Sequence, residues 1–215
     1  MYRLISKIYP KKIKERYIDI LRYANLDIDA NRLLGFLLFF GFGLAWLIAF
    51  NLALLFNFNI FLIFIIAFLA FEIIVYLWLL LKVEARATYI EKSLPDALQL
   101  MASNLRAGLT VDRSLLLAAR PEFGPLKDEI NLVGKEITLG EDVTEALNNM
   151  SKRIKSDKLD KTIRLLVSGL RSGGQLAPLL EQTSNNLRNR EFLEQRVRSS
   201  VMLYVIFIFV AVGIG

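Results

Sequence analysis

Few of the side chains in this sequence can do covalent chemistry. The 215 residues include no cysteine and no histidine. Disulfides, thiol nucleophiles, zinc sites of the usual ligand types and imidazole acid–base catalysis are therefore excluded. The carboxylates are interspersed with Lys and Arg, as on solvated helix faces, and no run has the spacing of a calcium loop. The sequence also lacks a phosphate-binding glycine loop. It predicts no catalytic residue, no metal site and no cofactor.

One carboxylate stands in an unusual place. Glu72 is the single charge in an apolar stretch at residues 60–81, where an ionised side chain costs about 2–3 kcal/mol on insertion scales. It could contact a partner span, pair with a basic residue of another subunit, carry a proton, or lie protonated against the first span or near Asn51. Interaction or burial is favoured over proton transport, because one acidic residue makes no relay.

A basic run is the second distinctive group. Only Asp157 and Asp160 interrupt its members, which are Lys152, Arg153, Lys155, Lys158, Lys161 and Arg164. The sharper hypothesis is a docking patch for an acidic cytoplasmic partner. A surface facing lipid headgroups and a plain solvated helix start are the alternatives. Nucleic acid is the least favoured partner, because no aromatic residues interleave with these charges.

Three apolar stretches must position these groups. They cover residues 33–56, 60–81 and 199–215, within a chain that is 54% hydrophobic. The first two exceed the roughly 20 residues that cross about 30 Å of hydrocarbon as a helix. Only Asn57-Phe58-Asn59 separates them, which predicts a transmembrane hairpin. The third stretch is short, and we expect the natural chain to continue beyond Gly215.

The distribution of basic residues predicts the orientation. All 27 Lys and Arg residues lie within residues 1–32 or 82–200. The positive-inside rule puts both regions in the cytoplasm and the Asn57 turn outside the cell membrane. Residues 1–32 are either an amphipathic helix lying on the inner leaflet, interrupted near Pro10, or a solvated basic flank that enforces topology.

The region from residue 83 to 198 has one repeating apolar pattern. Leu94, Leu98, Met101 and Leu105 follow the spacing i, i+4, i+7, i+11, and the same spacing starts again at Leu126, Val143, Leu159 and Leu176, with a shorter version at Val111. This spacing lines one face of an α-helix. It predicts an all-α membrane protein whose cytoplasmic part is a bundle of six short antiparallel helices.

Glycines and capping residues predict where these helices end. Gly108, Gly140 and Gly173-Gly174 follow periodic runs, whereas Asp142 and Ser156 precede them. The segment Leu-Arg-x-Gly occurs at residues 105–108 and again at 170–173, which favours two three-helix halves. Residues 185–198 then continue without Gly or Pro into the third apolar stretch. A continuous helix there would couple the bundle to a membrane span; a simple connection is the alternative.

Three of these segments resemble a known family. The segments are LPDALQLMASNLRAGL at residues 94–109, GEDVTEAL at 140–147, and GLRSGGQL at 169–176, which is followed by Leu179-Leu180. In their order and spacing they resemble the type II secretion system F domain. The resemblance covers about residues 90–204. Tyr9-Pro10 and Arg16-Tyr17 are similar to archaeal members, including platform proteins of the archaellum and of Tad-type pili.

The resemblance implies a non-catalytic inner-membrane platform for a type IV pilus-like filament or a related secretion machine. Such a protein contacts a cytoplasmic assembly ATPase and pilin-like subunits. Family members often have two such domains, so a homo- or hetero-oligomer is expected of this single-domain chain. Lys152, Arg153, Lys155 and Lys158 are our candidates for the ATPase contact, and Glu72 for an intramembrane contact. The alternative is a small membrane transporter or channel subunit that uses Glu72.

Overall fold

A computed structural model describes residues 11–26, 28–56, 59–172 and 175–214. Regular structure within these ranges is helical throughout, in agreement with the predicted all-α class. The helices are α1 (Lys11–Tyr23), α2 (Ala30–Phe56), α3 (Ile60–Arg106), α4 (Val111–Leu117), α5 (Pro125–Thr138), α6 (Val143–Arg153), α7 (Asp157–Arg171) and α8 (Leu176–Ile214), with a 3-10 turn at Pro121–Phe123. The predictions for Pro10, the Asn57-Phe58 turn, Gly173-Gly174 and Gly215 fall outside the described residues.

Three of these helices are long and apolar enough to cross a membrane. The qualifying segments are Ala30–Leu54, Ile60–Arg106 and Leu176–Gly213. Large apolar side chains such as Phe39, Leu54 and Phe61 are exposed on the first two, and Phe207 and Val212 are exposed on the third. So many exposed apolar side chains are incompatible with water as the surrounding solvent. The three predicted spans are therefore matched by three helices of the required length and composition.

Contacts within the chain divide it into two compact units, Met1–Ala87 and Thr88–Gly215. In the first unit, α1 packs its apolar side on α2 and α3. Tyr17 and Ile20 are buried in a cluster that also contains Leu34 and Leu79. The described part of the N-terminal segment therefore buries this side on protein. The two alternatives for residues 1–32, a helix on the inner leaflet and a solvated basic flank, stay predictions.

A capping contact adds to this packing of α1. The Arg86 guanidinium donates a hydrogen bond of 2.9 Å from Nη1 to the carbonyl oxygen of Tyr23, the last residue of α1. The last carbonyls of a helix have no partner within it and carry partial negative charge, so a cation there is stabilising.

The second unit contains one apolar core. It is built by the end of α3, by α4 to α7, and by the start of α8, which we call the bundle. Its buried members include these positions, which the helical spacing assigned to apolar faces: Leu94, Leu98, Met101, Leu126, Ile130, Val133, Leu147, Met150, Leu159, Ile163, Leu166 and Leu180. The predicted periodicity is confirmed at these positions. The division into two three-helix halves stays a prediction.

Local signals set the helix boundaries in the bundle. Gly108 and Gly140 have φ angles of 86° and 96°, the left-handed conformation that L side chains avoid. The Asp142 carboxylate accepts from the amide of Thr144, and the Ser156 hydroxyl accepts from the amide of Leu159 at 3.0 Å. These predicted N-caps are confirmed. They leave a short turn, residues 154–156, between α6 and α7.

Two helices extend from the bundle into apolar segments. The continuity predicted for the last helix is confirmed, because α8 is unbroken from Leu176 to Ile214. The sequence did not predict that α3 would likewise be unbroken from Ile60 to Arg106, with Pro95 inside it. Proline removes one backbone hydrogen bond from a helix but need not end it.

Candidate docking surface

The four residues predicted to contact a cytoplasmic partner flank the α6–α7 turn. Lys152 and Arg153 end α6, Lys155 lies in the turn, and Lys158 is in the first turn of α7. Helix α6 is amphipathic. Leu147 and Met150 on one side are buried in the core, whereas Lys152 in its last turn is exposed at the bundle surface. The four cations are close in the chain, but they have different surroundings.

Arg153 is enclosed by carboxylates of α5. Its Nε donates to Glu129 Oε2 at 2.9 Å, and its Nη1 donates to Glu136 Oε1 at 2.7 Å. The Glu129 side chain is 4% exposed and that of Arg153 is 23% exposed. Buried carboxylates require a partner of opposite charge, because their desolvation is otherwise uncompensated. Arg153 therefore joins α5 to α6, and its charge is compensated inside the bundle.

Lys158 lies between the two long helices. Its Nζ is 3.1 Å from Glu194 Oε2 on α8 and 3.6 Å from Glu91 Oε2 on α3. The hydrogen bond to Glu194, with smaller contributions from the charges of Glu194 and Glu91, raises the pKa of Lys158. The Ser156 hydroxyl donates to Glu91 Oε1 at 2.6 Å. Lys158 and Ser156 thus connect the turn to α3 and α8.

Lys152 and Lys155 differ from these two cations. Both are exposed, and within residues 11–26, 28–56, 59–172 and 175–214 neither forms an ion pair. An exposed ammonium group that forms no ion pair within these ranges is accessible to the carboxylates of an incoming partner. We call Lys152 and Lys155 the lysine surface.

A cleft of about 300 Å³ opens beside Lys158. It is lined by α3, α7 and α8, with Leu187 and Pro95 among its walls. Its charged lining consists of Glu91, Glu191, Glu194, Lys92, Lys158 and Arg190. Carboxylates and cations are equal in number there, so the cleft does not favour a ligand of either charge.

Glu72 belongs to the first unit, where it lies near α1. The Tyr17 and Tyr76 rings meet edge to face with centroids 5.7 Å apart. Burial, reinforced by the charge of Glu72 and by Tyr76, raises the pKa of Tyr17 to about 12. Asn51, one of the suggested neighbours, donates from Nδ2 to the Leu47 carbonyl of its own helix at 2.9 Å.

Sequence reasoning missed the acidic partners of the turn. One of them had a detectable signal: Glu129 interrupts the apolar stripe formed by Leu126, Ile130 and Val133. A carboxylate at a core position needs a buried cation, and Arg153 was an available candidate. Glu91 and Glu194 had no comparable signal, because both lie among other charges on long helices.

Comparison with known proteins supplies a family relationship. The model of the type II secretion system (T2SS) protein F family matches residues 97–215, which is more than half of the chain. No curated protein and no solved structure matches this chain. Among the residues that the structure describes, no group of His, Cys, Asp or Glu could hold a metal ion.

Proposed function

Because the chain belongs to the type II secretion system protein F family, we propose that it is a non-catalytic platform for assembly of a type IV pilus-like filament or a related secretion machine. One observation carries this proposal beyond the family: α3 and α8 each combine part of the bundle with an apolar segment long enough to span a membrane. A scaffold that connects a cytoplasmic motor with filament subunits in the membrane requires such continuous elements.

The proposed location is the cytoplasmic membrane, with the bundle inside the cell. The positions of the 27 Lys and Arg residues support it. Because the chain lacks cysteine, single cysteines give a direct test. A membrane-impermeant maleimide should label Asn57→Cys in intact cells and should label Lys135→Cys only after lysis. Labelling of Lys135→Cys in intact cells would contradict this orientation.

The proposed partner at the α6–α7 turn is an acidic face of an assembly ATPase. The lysine surface would make the direct contact, because Lys152 and Lys155 are exposed and form no ion pair with the residues that the structure describes. Arg153 and Lys158, which we also assign to the contact region, already have carboxylate partners within the bundle and would contribute less to the contact. Charge pairs at the rim of an interface act mainly on association rate and specificity.

The test reverses the lysine surface. Lys152→Glu combined with Lys155→Glu should lower capture of the same organism's assembly ATPase by about tenfold, because two attractions become repulsions. Arg120→Glu combined with Lys135→Glu is the matched control, since it makes the same charge change at other exposed bundle positions. Equal capture by both double variants, or an equal loss in both, would remove the lysine surface from the proposal.

The apolar segments are proposed to contact pilin-like subunits or a second protomer. Their exposed aromatic and aliphatic side chains support this assignment, and Glu72 remains the candidate intramembrane contact. Photo-crosslinking from exposed positions such as Phe61 and Phe207 tests it. Adducts to lipid alone at every position would contradict a protein partner for these helices.

A further inference from the structure

The α6–α7 turn is connected to both helices that combine bundle and apolar segment. Ser156 is the N-cap of α7, and the same hydroxyl that accepts from Leu159 donates to Glu91 on α3. Two residues later, Lys158 contacts Glu91 and Glu194. We call Glu91, Ser156, Lys158 and Glu194 the charge bridge. It is the place where α3, the start of α7 and α8 share polar contacts.

The helices α3 and α8 are joined elsewhere by contacts that do not involve the turn. The Ser184 hydroxyl donates to the Pro95 carbonyl at 2.8 Å, and Arg188 donates to Asp96 at 2.7 Å. Arg106 forms a further pair with Glu181. These contacts hold α3 beside α8 whether or not the turn moves. The charge bridge differs, because its cation belongs to α7.

The ion pairs of the bridge are suited to adjust position rather than to hold the fold. The side chains of Lys158 and Glu194 are 42% and 61% exposed, and exposed ion pairs contribute little to folding free energy. Nearby core residues such as Leu159 and Leu180 are fully buried. The neighbouring cleft of about 300 Å³ leaves room for Lys158 to change its distance to either carboxylate. A small displacement of the turn can therefore alter the bridge without unfolding the bundle.

We infer that the charge bridge is the connection through which a load applied to the lysine surface reaches α3 and α8. This inference rests on the proposed docking of an ATPase at that surface. In it, Glu91, Ser156, Lys158 and Glu194 are positioning residues that the partner need not touch. Displacement of the turn moves Ser156 and Lys158 together, and the two carboxylates pass that movement to the helices that enter the apolar segments.

The test uses the full chain in lipid nanodiscs. Spin labels on Lys161→Cys in α7 and Asn189→Cys in α8 report the separation of these helices and leave the lysine surface intact. Binding of the assembly ATPase should shift the mean separation. In the background of Glu91→Gln with Glu194→Gln, capture of the ATPase should change less than about twofold, but the shift should be lost. Lys158→Gln should lose it as well.

Asp160→Asn is the matched control. It converts a carboxylate to an amide in the Asp160–Arg164 pair, which lies entirely within α7, and the shift should persist. No capture by the unmodified chain would defeat the docking proposal itself. Capture without a shift in the unmodified chain, or a shift that persists in the Glu91→Gln with Glu194→Gln background, would overturn the charge bridge alone.

Discussion

The bundle and the apolar segments are both helical, but the bundle buries its apolar side chains within the chain, whereas the apolar segments expose theirs. Leu159 is 0% exposed in the bundle core, whereas Leu203 in the apolar part of α8 is 68% exposed. The first is stabilised by leaving water and packing against other helices. The second gains nothing from burial within the chain, because hydrocarbon is an equally apolar surrounding. Leucine thus stabilises the fold of the bundle, whereas in the apolar segments it favours hydrocarbon over water as the surrounding solvent.

Charged residues within the bundle also differ in whether they have partners in the chain. Inside the bundle, Glu129 and Glu136 share Arg153, and each carboxylate lies on a helix whose other inward positions are apolar. At the bundle surface, Lys152 and Lys155 need no partner, because water solvates them. The bundle therefore separates cations that hold helices together from cations that are available to another protein.

The largest effect is expected from shortening a core leucine. Leu159→Ala should lower the free energy of unfolding of the bundle by about 3–5 kcal/mol, because it leaves a cavity at a fully buried site. Leu203→Ala makes the same chemical change in an exposed apolar segment, and we expect it to leave the bundle unaffected. Hydrogen exchange of bundle amides in nanodiscs measures both. Similar loss of protection in both variants would contradict the distinction between the two regions.

A smaller effect is expected when the cation shared by Glu129 and Glu136 is removed. Arg153→Met should cost about 2–4 kcal/mol, somewhat less than for a fully buried pair because Arg153 is partly exposed. It would remove the cation that Glu129 and Glu136 share. Lys152→Met, the exposed neighbour, should stay within about 0.5 kcal/mol.

The same hydrogen-exchange measurement checks the Arg153 prediction. Adding Glu129→Gln and Glu136→Gln to Arg153→Met should restore part of the lost stability, since the two side chains left without the cation are then uncharged. If Lys152→Met and Arg153→Met behave alike, the Arg153 cluster does not stabilise the bundle.

The helix start next to the charge bridge should give a lesser loss. Ser156→Ala removes the cap of α7 and should cost about 1–2 kcal/mol. Ser172→Ala changes the same residue type at the other end of α7, where its hydroxyl donates to the Gly169 carbonyl, and should cost less than about 0.5 kcal/mol. Thermal unfolding of the full chain in mild detergent distinguishes them. Equal transitions for the two variants would show that capping at Ser156 is unimportant.

The smallest effect concerns pH. Hydrogen bonds from the hydroxyl and amide of Thr144 lower the pKa of Asp142 below its ordinary value of 3.8. A pKa lowered by folding adds stability that is fully present above 3.8 and is lost as pH falls through the folded value. Thr144→Val removes the hydroxyl donor, so the pKa should move back toward 3.8. A carboxyl titration by NMR measures this, and an unchanged midpoint would exclude the hydroxyl as the main cause.

Several elements could be predicted from the sequence because their causes are local. Long apolar runs, of which only the second contains a charge (Glu72), identify the three candidate spans. Length and composition alone determine whether a helix can cross hydrocarbon. The four-and-three spacing from Leu94 to Leu105 predicts a helical face wherever that face is buried. Caps such as Ser156 act within three residues. None of these features depends on what lies elsewhere in the chain.

Only the tertiary structure shows which cations of the basic run have carboxylate partners. The sequence shows a run of six cations and does not indicate which of them form ion pairs. Only the fold places Glu129 and Glu136 around Arg153, and Glu194 beside Lys158. Ion pairs between helices join residues that are far apart in sequence, so no periodicity marks them.

The sequence by itself determined the all-α class of this protein, its candidate spans, the periodic helical segments of the bundle and the apolar core positions within them. Those features follow from the solvent that each short segment requires. The tertiary structure decided which cations have carboxylate partners, that α1 packs on α2 and α3, and that the α6–α7 turn is joined to both long helices. Such contacts depend on how distant segments pack against one another, and local composition does not encode that packing.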